Sequence, residues 1–323
     1  MSLQIELKSP GNKLQALIEN VERVIYGKTE AVRHCVVGLL AEGHILLEDV
    51  PGTGKTTLAR ALAKSIAVDF VRIQFTSDLL PADLIGVSVW SDRDERFVFR
   101  PGPIFGNIVL ADELNRTTPR TQSALLECMD ERRVSSDGET RELPLPFLVI
   151  ATQNPMEFEG TYPLPESQLD RFLLCIRMGY PERDVERRVL QSRLKMDPIE
   201  AIGPVITREE LVDSMQAVRQ VRVEESLMEY VLDFTEATRS RDRFLLGASP
   251  RAALGWVRAA QAMALIAGRD FCVPDDFKSL AISVLSHRVV PAPGLHGNGD
   301  AGIATRSGDE AIAQLLEAIP VPG

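Results

Sequence analysis

The chain has few of the features that would tie it to a membrane, a metal or a disulfide framework. No apolar run approaches the roughly 20 residues that a bilayer-spanning helix requires, and the first residues hold no signal-peptide core. Membrane insertion is therefore not expected, and the expected location is cytoplasmic. Cysteine occurs only at Cys35, Cys128, Cys175 and Cys272, too far apart for a zinc or redox pair, and the thiols read as reduced core residues. His34, His44, His287 and His296 show no metal-ligand spacing. Positive charge is in deficit, with 36 Lys and Arg against 46 Asp and Glu and a net charge of −10. That balance argues against a broadly basic nucleic-acid surface. What remains is ordinary globular composition, 45% hydrophobic and 25% charged. A length of 323 residues exceeds what one core usually holds, so two domains are expected.

Against this plain background one stretch is specific. Leu46 and Leu47 lead through Glu48 into Asp49-Val50-Pro51-Gly52-Thr53-Gly54-Lys55-Thr56-Thr57, and a helical pattern with Leu58, Ala61, Leu62 and Ile66 on one face follows. Gly52 and Gly54 can take the backbone angles that turn successive N–H groups onto an anion, and the positive end of the helix points at the same place. Lys55 would reach the terminal phosphates of a nucleotide and Thr56 would ligate Mg²⁺. The usual phosphate-loop pattern begins with glycine; here that position is Asp49.

Farther along, Asn107-Ile108-Val109-Leu110-Ala111-Asp112-Glu113 reads as a buried parallel strand delivering two carboxylates at its C-terminal end. Asp112 would hold the Mg²⁺ through water, and Glu113 would orient and deprotonate the water that attacks a γ-phosphate. A third strand, Phe147 to Ala151, ends in Thr152-Gln153-Asn154-Pro155. Asn154 would contact the attacking water or the phosphate, or would simply form the turn before proline. Arg171 reads either as an arginine finger serving a neighbouring subunit or as a surface partner of Asp170.

The rest of the chain is punctuated clearly. A helix is expected over 29–42, with Gly43 as its stop, followed by a strand from His44 to Glu48. Residues 87–103 alternate apolar and charged around Ser91 to Glu95, predicting a polar-tipped hairpin. Asp137-Gly138 predicts a second hairpin over 133–144. Thr118-Pro119 would cap the helix between the two. Beyond Tyr180-Pro181 the pattern becomes helical. Thr207 with Glu210 forms a capping pair, and Ser249-Pro250 opens a helix that stops at Gly268. Arg251 in its first turn opposes the helix dipole, which suggests a phosphate partner. Residues 291–302, rich in Pro and Gly, read as a flexible loop, and Ile312, Leu315, Leu316 and Ile319 recur at helical spacing and are expected to dock only weakly.

Taken in order, the stretches 49–56, Leu110 to Arg116, Ala151 to Pro155, Leu164 to Phe172 and Gly247 to Ala252 resemble the MoxR-type AAA+ ATPases over nearly the whole chain. The resemblance implies an α/β P-loop AAA+ fold: a parallel-sheet nucleotide-binding domain over 1–180, followed by a smaller all-helical lid domain over 181–323. It implies that adenine packs near Val24, Ile25 and Gly27, that residues 87–103 are the helix-2 insert, and that 133–144 form the pre-sensor hairpin. It also implies that Arg251 is the sensor-2 arginine, acting in cis or in trans. ATP and Mg²⁺ are the expected cofactors. A trans finger at Arg171 requires a homo-oligomer, expected to be a hexameric ring, and the family implies a partner with a von Willebrand factor A domain. Chaperone-like remodelling, assembly or metal-cofactor insertion would be the work done. Two alternatives stay open. One is a nucleic-acid motor related to the insert-bearing helicases, opposed by Asp92, Asp94, Glu95 and Asp137 at the hairpin tips. The other is a scaffold that binds ATP without useful turnover, opposed by the Asp112-Glu113 pair.

Overall fold

A computed structural model describes residues 10–154, 160–194, 197–292 and 301–322. After α1 (Pro10–Glu22) and α2 (Thr29–Leu40), strand β1 (Ile45–Glu48) enters the sheet, and α3 (Lys55–Ile66) leads to β2 (Phe70–Gln74). The short helix α4 (Pro81–Ile85) precedes the hairpin β3 (Gly86–Ser91) and β4 (Arg96–Pro101), and β5 (Ile108–Asp112) returns to the sheet. Next come α5 (Pro119–Glu131), the hairpin β6 (Arg133–Ser136) and β7 (Glu139–Glu142), then β8 (Leu148–Gln153), α6 (Glu166–Leu169) and β9 (Leu174–Ile176). The sheet order is β2-β5-β8-β1-β9 and every pairing is parallel. Parallel strands need long crossovers, and the intervening helices supply them.

Burial explains why the strands read as continuous apolar runs. Ile45, Leu47, Ile108, Leu110, Leu148 and Ile150 face a cluster with α1, α2 and α3. Leu46, Val109, Ala111, Val149 and Ala151 face a second cluster with α5. In β1, β5 and β8 both faces are covered, so no polar alternation survives there. The order sets β8 between β5 and β1, which brings the ends of the three motif-bearing strands side by side.

The two hairpins form as expected, with Asp137 and Gly138 at positive φ in the second turn. They also pack on each other. Ser88 Oγ donates to Asp137 Oδ2 at 2.6 Å, and the Arg141 guanidinium lies 3.8 Å from the centre of the Phe99 ring. Phe99 turns onto Phe105, whereas Trp90 and Phe97 stack edge-to-face on the open side, 51% and 68% exposed.

The helical part contains α7 (Arg183–Arg193), α8 (Arg208–Val218), α9 (Glu225–Ala237), the strand β10 (Phe244–Leu246), α10 (Pro250–Ile266), α11 (Pro274–Lys278), α12 (Ala281–Leu285), β11 (Val290–Pro291) and α13 (Ala301–Ala318). Thr207 and Glu210 make the expected reciprocal cap. Trp256 lies at the centre against Phe234, Tyr230 and Phe277, and donates its indole N–H to the Phe277 carbonyl. This apolar cluster is continuous with the one over α1 to α3. Three expectations need correcting. Thr118 stands at the N-cap of α5, but its hydroxyl bonds no backbone N–H. Pro291 is not loop but pairs with Phe244, while 293–300 lie outside the described residues. Ile312 and Leu315 dock firmly, both buried in the core. Among the described residues no helix is long and apolar enough to cross a membrane.

Candidate functional site

The loop after β1 has the geometry of an anion cradle. Gly52 and Gly54 sit at φ 86° and 96°, and nothing lies within 4 Å of where a Cβ on Gly52 would stand. Gly54 is the N-cap of α3 and brings no side chain to cap its first turn, an arrangement that suits an anion. Lys55 folds back over the loop and donates to the carbonyls of Asp49 at 2.7 Å and Val50 at 3.2 Å. Burial is the largest influence on its ammonium and draws its pKa below the ordinary lysine value, while Asp49, Asp112 and Glu113 work in the opposite direction. Such a cation gains from an incoming phosphate.

Asp112 ends β5 beside this loop. Its Oδ1 accepts the Thr152 hydroxyl at 2.6 Å and its Oδ2 accepts Arg72 at 2.6 Å. Glu113, the next residue, sits in the left-handed region at φ 57°. That conformation costs energy for a residue with a Cβ and is typical of functional turns. Its amide donates to Thr152 Oγ1, and its carboxylate takes Gln74 at 2.7 Å and Arg116 at 3.1 Å. Asn154 follows β8, between the Asp112-Glu113 strand and the phosphate loop. Arg72, Gln74 and Thr152 escape a sequence reading that follows motifs. The one signal for Arg72 and Gln74 is the period of two along β2, which puts both on one face.

Asp49 stands where the usual phosphate loop has glycine. Its carboxylate accepts the amides of Val50, Met178 and Gly179. Val24 and Ile25 are buried in the core, and Gly27, at φ 68°, abuts Val185 of α7.

Arg171 and Arg251 come together, but not at this edge. Both pair with Asp130 near the end of α5, Arg171 at 3.2 Å. Asp170 instead accepts Ser249 Oγ at 2.9 Å and meets the buried Arg288 at 3.3 Å. Burial, the largest influence, pulls the Arg288 pKa down to about 10 against the pull of Asp170. A cavity of about 230 Å³ opens here, lined by Asp130, Arg132, Arg171, Arg251, Arg258 and Arg288 among others. Ile45 of β1 pairs in parallel with Leu174 of β9, so Arg171 stands at the N-terminal edge of the sheet, whereas the phosphate loop leaves the C-terminal edge. At about 3.3 Å per residue, β1 alone separates the two edges by roughly 13 Å, beyond the reach of an arginine side chain. In this arrangement both arginines lie at the edge away from their own phosphate loop.

The model of the ATPase family associated with various cellular activities (AAA) matches residues 44–174, and that of the AAA lid domain matches 236–307. The chain is 48% identical to the uncharacterized protein YeaC of Bacillus subtilis, over 94% of this chain and 93% of that one. It is 42% identical to Chaperone MoxR1 of Mycobacterium tuberculosis, over 86% and 75%, and 32% identical to Protein MoxR of Paracoccus denitrificans, over 93% of both. A crystal structure of a candidate ATPase from Cytophaga hutchinsonii superposes with a TM-score of 0.88 at 37% identity, covering 97% of this chain and 96% of that one.

Proposed function

The chain belongs to the MoxR-type AAA+ ATPases, and from that premise we propose that it hydrolyses ATP to ADP and phosphate and spends the energy on remodelling a partner protein. One observation carries the reading: an open amide cradle, a lysine and a strained glutamate share one sheet edge, while two arginines are gathered at the opposite edge. Lys55 and the amides after Gly52 bind the β- and γ-phosphates. Glu113, held by Gln74 and Arg116, takes a proton from the attacking water, and Asn154 orients that water from the adjoining strand tip. Mg²⁺, held by Thr56 and Asp112, would neutralise charge on the phosphates. With the metal bound, Arg72 would yield one Asp112 oxygen and Thr152 would keep the carboxylate aligned.

The separation of the two edges favours a ring. Arg171 and Arg251 of one protomer serve the nucleotide of the next, so both act in trans and a lone chain lacks a complete site. A hexamer is the oligomer proposed, with the α/β part and helical lid dividing near residue 180. The acidic composition suits an adaptor on another chain, and a protein with a von Willebrand factor A domain is the proposed partner. Assembly or metal-cofactor insertion is the work proposed. Replacing Glu113 with Gln tests the chemistry. The variant keeps shape and hydrogen bonding, so it is expected to bind ATP normally while turnover falls by about 100-fold or more. Near-normal steady-state turnover would remove Glu113 as the base.

A further inference from the structure

We propose that Asp49 is a positioning residue that couples the phosphate loop to the segment through which the chain leaves the sheet for the helical lid, residues 178–181. The inference rests on the ATP reading of that loop and deepens it.

A carboxylate at the head of a phosphate loop repels the ligand unless its charge is engaged elsewhere. Asp49 is only 8% exposed, and both of its carboxylate oxygens accept backbone amides. Oδ2 accepts the amides of Met178 at 2.8 Å and Gly179 at 2.7 Å, and Oδ1 accepts the amide of Val50 at 2.9 Å. Two successive amides converging on one oxygen make an anion nest, which Gly179 permits by sitting at φ 63°. The segment after β9 is thus an anion site filled by the phosphate loop itself.

The same residue also meets the catalytic lysine. The Asp49 carbonyl accepts Lys55 Nζ at 2.7 Å, so the ammonium destined for the phosphates rests on the residue that grips the exit segment. A polyphosphate is a far stronger acceptor for an ammonium than a peptide carbonyl. Seating it draws Lys55 away and frees the Asp49 peptide, while its carboxylate stays tied to 178 and 179. Movement in the loop is thereby passed to the segment ahead of α7. Glu48 adds a parallel tie without touching Lys55. Its Oε1 accepts Gln153 at 2.5 Å and its Oε2 accepts Arg177 at 2.9 Å, and Arg177 in turn pairs with Asp309 of α13. On the far side, the Tyr180 carbonyl accepts Lys28 Nζ at 3.0 Å, one residue from Gly27. The exit segment therefore has links to both the phosphate and the base ends of the proposed nucleotide site, and Asp49 is the link that touches the lysine.

The test uses the full chain with Asp49→Ala and Asp49→Asn, following binding of a fluorescent ATP analogue, steady-state turnover, and hydrogen exchange over residues 176–182 with and without ATP and Mg²⁺. In the wild type, exchange of this segment is expected to respond to ATP. The alanine variant should bind the analogue within about threefold of wild type, yet lose the exchange response and about tenfold in kcat with little change in KM. Asparagine retains one acceptor oxygen and should fall between the two in both readouts, a graded rescue that a merely structural role does not produce. A wild-type exchange response in the alanine variant, or in the asparagine variant should alanine not fold, overturns the coupling, as does a wild-type protein whose segment ignores bound ATP. A wild-type chain that binds no ATP sinks the underlying reading instead.

Discussion

At the scale of single residues, the decisive groups are those whose surroundings change their chemistry. Lys55, Thr56, Asp112 and Glu113 are legible in the sequence because their spacing is dictated by the phosphates they would serve. Thr152, which aligns Asp112 and caps the Glu113 amide, is not, because one hydroxyl in an apolar strand carries no pattern. The same holds for two histidines that the sequence leaves without a role. His44 is buried, donates from Nε2 to the Met129 carbonyl and accepts the Val149 amide at Nδ1. Burial is the main cause that lowers its pKa to about 4, and burial followed by the adjacent Arg288 lowers His287 to about 3. Both are neutral when folded and titrate near 6.5 when unfolded. Their contribution to stability is therefore complete above about pH 6.5 and is lost as pH falls through the folded values. Between pH 7 and pH 5 the unfolding free energy should drop by roughly 2 kcal/mol per histidine. Urea denaturation at the two pH values checks this, and an unchanged midpoint would contradict it.

Among the elements, helix starts and tight turns were the most readable features. Thr207 with Glu210, Ser249 before Pro250, and Asp137-Gly138 all act through local backbone chemistry and need no tertiary partner. Ser249 also shows where local reading stops. Its hydroxyl accepts the Ala252 amide to start α10 and donates to Asp170, the residue before Arg171. One side chain thereby sets Arg251, in the first turn of α10, beside Arg171. Replacing Ser249 with Ala should cost about 1–2 kcal/mol and lower Tm by about 1.5–3 °C. It should also reduce ATP turnover while leaving ATP affinity unchanged, since the residue lies at the arginine edge and not the loop edge. Calorimetry and nucleotide titration separate the two effects; weakened ATP binding with normal turnover would refute the placement. The Pro- and Gly-rich tail shows the opposite error: composition suggested loop, yet Pro291 lies in a two-stranded pairing, an edge location that tolerates a residue without an N–H.

Over the whole molecule, the parallel sheet divides the proposed chemistry between two edges. A Lys55→Ala protomer lacks phosphate binding but presents both arginines, and an Arg171→Ala protomer binds nucleotide but presents an incomplete pair. Each alone should be nearly inactive, and a mixture should regain turnover, because random association completes about one site in four. Mixed-protomer ATPase assays check this, and a mixture no more active than its parts would return the arginines to a structural role around Asp130. The sequence by itself determined the apolar strands buried on both faces and the loop and acid pair, because each follows from near-neighbour chemistry or from the period of the backbone, and its ordered motifs resembled a family that implied the AAA+ fold. Only the tertiary structure decided that Asp49 faces the exit segment, that the two hairpins pack together, and that Arg171 and Arg251 share one counter-ion at the far edge. Those contacts join residues tens to more than a hundred positions apart, and their partners are chosen by strand order and packing, which leave no periodic trace along the chain.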